Sequence, residues 1–201
     1  MQNDRDVIGE WPQQDLVDPR GRVFEEKKAE KAQEIESRPI QLTHGKVGLL
    51  SNKKPNADAM LQEVQKGLAA ANPGLTFVYG CKEPLAERAP ESVIESLLGC
   101  DAVVLASAEC GGCSSWVCRD YITLEEHGVP CILIATNRFE KLSRLVLTAG
   151  GIKSPRLAIA PHPVSGIPAE QAQAKIRAMM GHFTAEILGS KAEVEVKVEN
   201  V

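Results

Sequence analysis

The chain predicts an α/β fold: a single doubly wound, mostly parallel sheet of about five strands, with helices on both faces. Three observations predict it. From Lys46 onward, short apolar runs alternate with amphipathic segments, the pattern of repeated strand–helix–strand units. Helix-stopping residues punctuate the alternation, in Asn72-Pro73-Gly74, His127-Gly128-Val129-Pro130 and Gly150-Gly151. A length of 201 residues accommodates one such domain with a full core.

The elements follow in order. Lys46 to Leu50, Leu75 to Tyr79, Ala102 to Ser107, Cys131 to Ala135 and Leu157 to Ala160 are apolar enough to be buried strands. Between and after them, helices are predicted over Ala57 to Ala71, Glu91 to Leu98, Ser115 to His127, Glu140 to Ala149 and Ala169 to Leu188. Residues 1–44 form an N-terminal arm with isolated apolar anchors at Trp11, Leu16, Val17, Val23 and Phe24, and Glu25 to Glu36 reads as a solvated charged helix. The α/β domain spans 45–189. The tail, 190–201, alternates Val with Glu or Lys, as an edge strand or a flexible end would. The expected class is Rossmann-like or flavodoxin-like.

Composition narrows the function. The net charge of −4 with 25% charged residues gives no basic surface for nucleic acid, and no apolar run reaches the roughly 18 residues of a membrane span. The polar start Met1-Gln2-Asn3-Asp4-Arg5 lacks a signal pattern, so the cytoplasm is the expected compartment. There, six cysteines are expected to be reduced, catalytic or metal-bound rather than structural disulfides. Cys81, Cys100 and Cys131 lie in or beside apolar runs and read as inert core thiols.

The chemistry concentrates in Ala108-Glu109-Cys110-Gly111-Gly112-Cys113-Ser114-Ser115-Trp116-Val117-Cys118, a CxxC at the carboxyl end of the third strand. Ser114 or Ser115 is placed to cap the next helix, whose N-terminus favours a thiolate. Gly111 and Gly112 remove side chains between the thiols and let a substrate approach. The spacing suits a redox or nucleophilic pair, and also joint metal ligation. Zinc would require Cys110, Cys113 and Cys118 to converge with His162, and no second CxxC completes that set. Cys118 reads as a buried helix residue or a third redox thiol. Glu109 is placed as a proton-transfer group beside Cys110.

In a doubly wound sheet, ligands bind outside the carboxyl ends of the strands. Asn52, Lys54 and Asn56 after the first strand, Thr136 and Asn137 after the fourth, and His162 after the fifth therefore join Cys110, Cys113, Gly111, Gly112 and Ser114 as candidate site residues. The amide and ammonium donors fit a substrate carboxylate, and His162 fits a general acid or thiolate partner. Trp116 reads as a helix residue covering the site or core. Neither a phosphate-loop glycine motif nor a G-x-S-x-G elbow is present, so nucleotide, flavin and serine-hydrolase chemistry are not supported.

The segments Asp101 to Cys113, Glu125-Glu126-His127-Gly128-Val129-Pro130, Ala158 to Pro163 and Gly48 to Ala57 together resemble the UGSC-like family. That family is related to the selenoprotein B subunit of glycine, sarcosine and betaine reductases. The resemblance covers roughly Gly45 to Gly166. It implies that Cys110 stands at the selenocysteine position as nucleophile and Cys113 at the partner cysteine, with Gly112 where the family commonly has Ser or Thr. It implies attack on a carbon bearing a nitrogen leaving group, followed by product release as an oxidised pair forms.

The expected function is a cysteine-dependent, oxidoreductase-like enzyme that cleaves a carbon–heteroatom bond in a small carboxylate-bearing molecule. No cofactor is expected beyond an external dithiol or thioredoxin-like reductant, and a homodimer or a hetero-oligomer with a related subunit is the expected assembly. The alternatives are a redox-neutral lyase, hydrolase or isomerase, and a non-catalytic metal-binding or partner subunit.

Overall fold

The fold is that of a computed structural model, which describes residues 33–83 and 87–189. Its five strands are β1 (Gly45–Ser51), β2 (Leu75–Cys81), β3 (Ala102–Ala108), β4 (Cys131–Thr136) and β5 (Leu157–Ala160). The described helices are α1 (Ala57–Ala71), α2 (Glu91–Leu98), α3 (Gly111–Glu126), α4 (Glu140–Ala149), α5 (Ala169–Ala178) and α6 (Met180–Leu188). All strand pairs are parallel, in the order β2-β1-β3-β4-β5. The order reverses between β1 and β3, which places the ligand crevice of such sheets over their carboxyl ends.

Strand alternation feeds two cores. Val47, Leu49, Val104, Ile132 and Ile134 pack against Met60, Leu61, Val64 and Leu68 of α1, Ile176 of α5, and Phe183 and Ile187 of α6. Leu50, Val103, Leu105 and Leu133 pack against Ile94 and Leu97 of α2, Val117, Tyr121 and Leu124 of α3, and Leu147 of α4. Both faces being covered explains why β3 and β4 are buried along their whole length.

One irregularity matters for the site. Ala106 of β3 pairs with Ile134, but Ala108 pairs with the very next residue of β4, Ala135. Ser107 is therefore an extra residue in a bulge, and the Ala106–Ser107 peptide there is cis. Ala106 packs in the α1 core and Ala108 in the α3 core, so the chain leaves the sheet with its facing reversed.

Three sequence expectations change. Helix α3 begins at Gly111, four residues earlier than expected, because Cys110 itself caps it. The long last helix divides at Met179, which lets α6 turn Phe183 and Ile187 onto α1; Gly67 of α1 leaves room for Met180 there. Residues 33–36, expected within a charged helix, include no helix: Ile35 instead bridges Ile152, with Ile35 N–H donating to Gly151 O at 2.8 Å. The anchors Trp11, Leu16, Val17, Val23 and Phe24 and the tail 190–201 lie outside the described residues. No helix among the described residues is long and apolar enough to cross a membrane.

Candidate active site around Cys110

The site grows from the way β3 passes into α3. Cys110 is the N-cap, with extended backbone, and its Sγ accepts the Cys113 N–H at 3.3 Å. Cys113 Sγ in turn accepts the Cys110 N–H at 3.2 Å, so the two cysteines cap the helix reciprocally. They are disulfide-bonded, with Cα atoms 5.5 Å apart. Cys110 is half-buried, whereas Cys113 is only 2% exposed. Sulfur thus takes the capping role expected of Ser114 or Ser115. Ser115 Oγ donates to Gly111 O, and Ser114 is fully buried in the first turn, its hydroxyl without a partner among the described residues.

Gly111 and Gly112 are exposed, and a Cβ at either would meet nothing within 4 Å. Space outside the helix N-terminus is therefore open. Trp116, further along α3, carries Arg119 over its ring at 4.6 Å.

Glu109 ties this turn to the β5–α5 loop. One carboxylate oxygen accepts Val164 N–H at 2.6 Å and Ser165 N–H at 2.7 Å, and the other accepts Ser165 N–H at 2.9 Å and the Ser165 hydroxyl. With this carboxylate buried and surrounded by donors, Glu109 is a loop anchor rather than the proton carrier its position suggested. Its Oε1 also lies 3.9 Å from His162 Nδ1. His162 Nδ1 is 3.3 Å from Thr136 Oγ1, and His162 N–H donates to Asn137 Oδ1 at 3.1 Å. Thr136, Asn137 and His162 therefore form one group, linked to Cys110 through Glu109.

The asparagines after β1 bind the chain itself. Asn52 is fully buried; its Nδ2 donates to Ser107 O at 2.9 Å and its Oδ1 accepts Ser107 N–H at 3.0 Å. Asn56 Nδ2 donates to Val164 O and Ile167 O at 2.7 and 2.9 Å. Their expected substrate donors are thus engaged internally. Lys54 is half-buried, and its backbone N–H donates to Asn52 Oδ1 at 3.2 Å.

Sequence reasoning missed a carboxylate cluster beside this loop. Asp58 accepts from Ser51 Oγ, from Tyr79 Oη at 2.5 Å and from Lys53 Nζ at 3.0 Å. Burial alone would raise the Asp58 pKa, but these donors outweigh it and hold the carboxyl below its ordinary range. The fully buried Lys82–Asp120 pair was also missed, with Asp120 Oδ1 accepting Ala89 N–H at 2.9 Å. A lysine directly after an apolar strand is the one signal that could have marked it.

Three of the other cysteines are buried, and Cys81 is half-buried. Burial pushes the Cys118 thiol up to about 12, Cys100 upward and Cys131 well upward. Cys118 faces Ser143 O at 3.9 Å in the core, away from any ligand set with His162. Among the described residues, no group of three or more His, Cys, Asp or Glu side chains is placed to hold a metal ion.

The family model of the UGSC family matches residues 15–189, most of the chain. The chain belongs to the UGSC family. No curated protein matches this UGSC-family chain. Among solved structures it is similar to Smu.1420 from Streptococcus mutans UA159, at 13% identity and a TM-score of 0.42, covering 69% of this chain and 98% of that one.

Proposed function

We propose that this UGSC-family chain is a cysteine-dependent enzyme that reductively cleaves a carbon–heteroatom bond in a small carboxylate-bearing substrate. The observation that carries the reading is the asymmetry of the thiol pair: Cys110 is reachable at the N-cap of α3, and Cys113 is shielded one turn behind it. The N-terminal N–H groups of α3 and its dipole favour Cys110 as thiolate once the pair is reduced.

In the first step the Cys110 thiolate attacks the substrate carbon, a carbon–sulfur bond forms, and the heteroatom leaves with the bonding pair and takes a proton from His162. In the second, Cys113 as thiolate attacks Cys110 Sγ. The disulfide forms, and the carbon departs with the carbon–sulfur electron pair and takes a proton. The net change converts substrate and two thiols into a carbon–hydrogen product, the protonated leaving group and a disulfide. An external dithiol or a thioredoxin-like protein then returns the pair to thiols. Lys54 and the positive end of α3 favour an anionic substrate group, while the Glu109 charge is taken up by backbone donors. The resemblance to selenoprotein B of the amino-acid reductases that the sequence implies is consistent with the same order of events, with sulfur in the place of selenium.

The test incubates reduced wild-type, Cys110→Ser and Cys113→Ser proteins with a panel of α-substituted carboxylates, with and without dithiothreitol, and follows product and intact mass. Dithiol-dependent turnover in wild type, none in Cys110→Ser, and a covalent adduct on Cys110 in Cys113→Ser are the expected results. Turnover by Cys110→Ser overturns the nucleophile assignment. Turnover without dithiol assigns redox-neutral lyase, hydrolase or isomerase chemistry instead, and stoichiometric zinc with inert thiols assigns a metal-binding subunit.

A further inference from the structure

We infer that Asn52 is a positioning residue for Cys110, acting through the bulge at Ser107. The inference rests on the reading of Cys110 as the nucleophile. A bulge leaves one residue outside the regular ladder, and its backbone groups need other partners. Asn52 supplies both for Ser107, donating to its carbonyl at 2.9 Å and accepting its N–H at 3.0 Å. Beside this pair, Asn52 N–H donates to Ala106 O at 2.8 Å, so the end of β1 follows β3 through the irregularity.

The bulge decides where the next residues point. Ala106 lies in the α1 core and Ala108 in the α3 core, so the register slip reverses the facing of everything that follows. After the reversal, Glu109 meets Val164 and Ser165 over the α1 side, and Cys110 enters α3 as its N-cap. With Ser107 released, both of its buried backbone groups lose these partners, and the backbone bond from Asn52 N–H to Ala106 O holds only the residue before the bulge. Cys110 then loses its alignment on the Cys113 N–H and the end of α3.

A structural asparagine elsewhere supplies the control. Asn72, between α1 and β2 at the amino end of the strands, makes a comparable set of bonds: Nδ2 donates to Leu42 O and Thr43 O at 3.3 and 3.0 Å, and Oδ1 accepts Gly74 N–H at 2.9 Å. The experiment reduces full-length wild-type, Asn52→Ala and Asn72→Ala proteins and measures the iodoacetamide rate constant of each cysteine by peptide mapping at pH 7. Circular dichroism and urea midpoints are recorded on the same samples. The expected result is a fall of tenfold or more in the Cys110 rate for Asn52→Ala, and a lowered midpoint with the Cys110 rate within twofold of wild type for Asn72→Ala. If Asn52→Ala fails to fold, Asn52→Asp, which keeps the acceptor for Ser107 N–H and loses the donor to Ser107 O, is expected to slow Cys110 at least threefold. A Cys110 rate within twofold of wild type in the folded Asn52 variant, or an equal loss in Asn72→Ala, overturns the positioning role alone. A wild-type Cys110 no faster than an ordinary free thiol overturns the nucleophile reading and this inference with it.

Discussion

The two carboxylate oxygens of Glu109 both accept the backbone N–H of Ser165, at 2.7 and 2.9 Å, fastening the residue before Cys110 to a loop 56 residues away in sequence. Replacing Glu109 with Ala leaves the buried Val164 N–H and the half-buried Ser165 N–H without their acceptor, while the Ser165 hydroxyl keeps Pro55 O. The expected loss is about 3 kcal/mol, measured as a lowered urea midpoint at an unchanged m-value.

Cys110→Ser tests capping and reactivity separately. Serine is a strong N-cap, so its hydroxyl replaces the sulfur that accepts Cys113 N–H. Compared with reduced wild type, stability is expected to change by less than about 1 kcal/mol, while the fast-alkylating thiol disappears. A large destabilisation would show that the sulfur packs rather than caps.

Thiol reactivity is expected to divide by burial. Cys110 alkylates fastest in the reduced native protein, with an apparent pKa below the ~8.5 of a free thiol. Cys118, pushed up to about 12 by burial, and the fully buried Cys131 react only on unfolding. Mapping iodoacetamide adducts between pH 6 and 9 checks the order, and a Cys118 that reacts as fast as Cys110 contradicts it.

The Asp58 cluster predicts a pH dependence. Its folded pKa lies below the ordinary 3.8, so its contribution is fully present above that value and is lost as pH falls through the lower folded pKa. The urea stability gap between wild type and Asp58→Asn is therefore expected to be constant from pH 7 to 5 and to close below about pH 4. A gap that widens in acid would reverse the sign.

Gly112→Ser places here the side chain that the UGSC-like resemblance implies for this position. A Cβ there meets nothing within 4 Å, and serine is a better helix residue by about 0.5 kcal/mol, so the folded state is expected to be unharmed or slightly stabilised. Any effect is expected in KM or in alkylation by bulky reagents, because the open space outside Gly112 is the approach to Cys110 in the proposed function.

Much of the frame was legible in the chain. Apolar runs at the right spacing marked all five strands, and α1, α2 and α4 begin and end where their amphipathic pattern and stop residues place them. The Cys110-Gly111-Gly112-Cys113 turn, the family and the carboxyl-end location were readable because they depend on local residue order. The start of α3 was misplaced because cysteine is not a usual capping residue, and the break at Met179 carries no proline, with Gly181 two residues on as its one nearby helix-weakening residue.

What the sequence by itself determined about this protein is its class of fold, the position of the thiol pair at a strand-to-helix turn, and its membership of a cysteine-motif family. Only the tertiary structure decided which polar side chains serve the chain and which remain for a ligand. Asn52 and Asn56 turned inward onto Ser107, Val164 and Ile167, while Glu109 became an anchor for Ser165. The physical reason is that local periodicity is written in neighbouring residues, whereas hydrogen bonds between loops 55 or 108 residues apart depend on strand order and on one slipped register in β3.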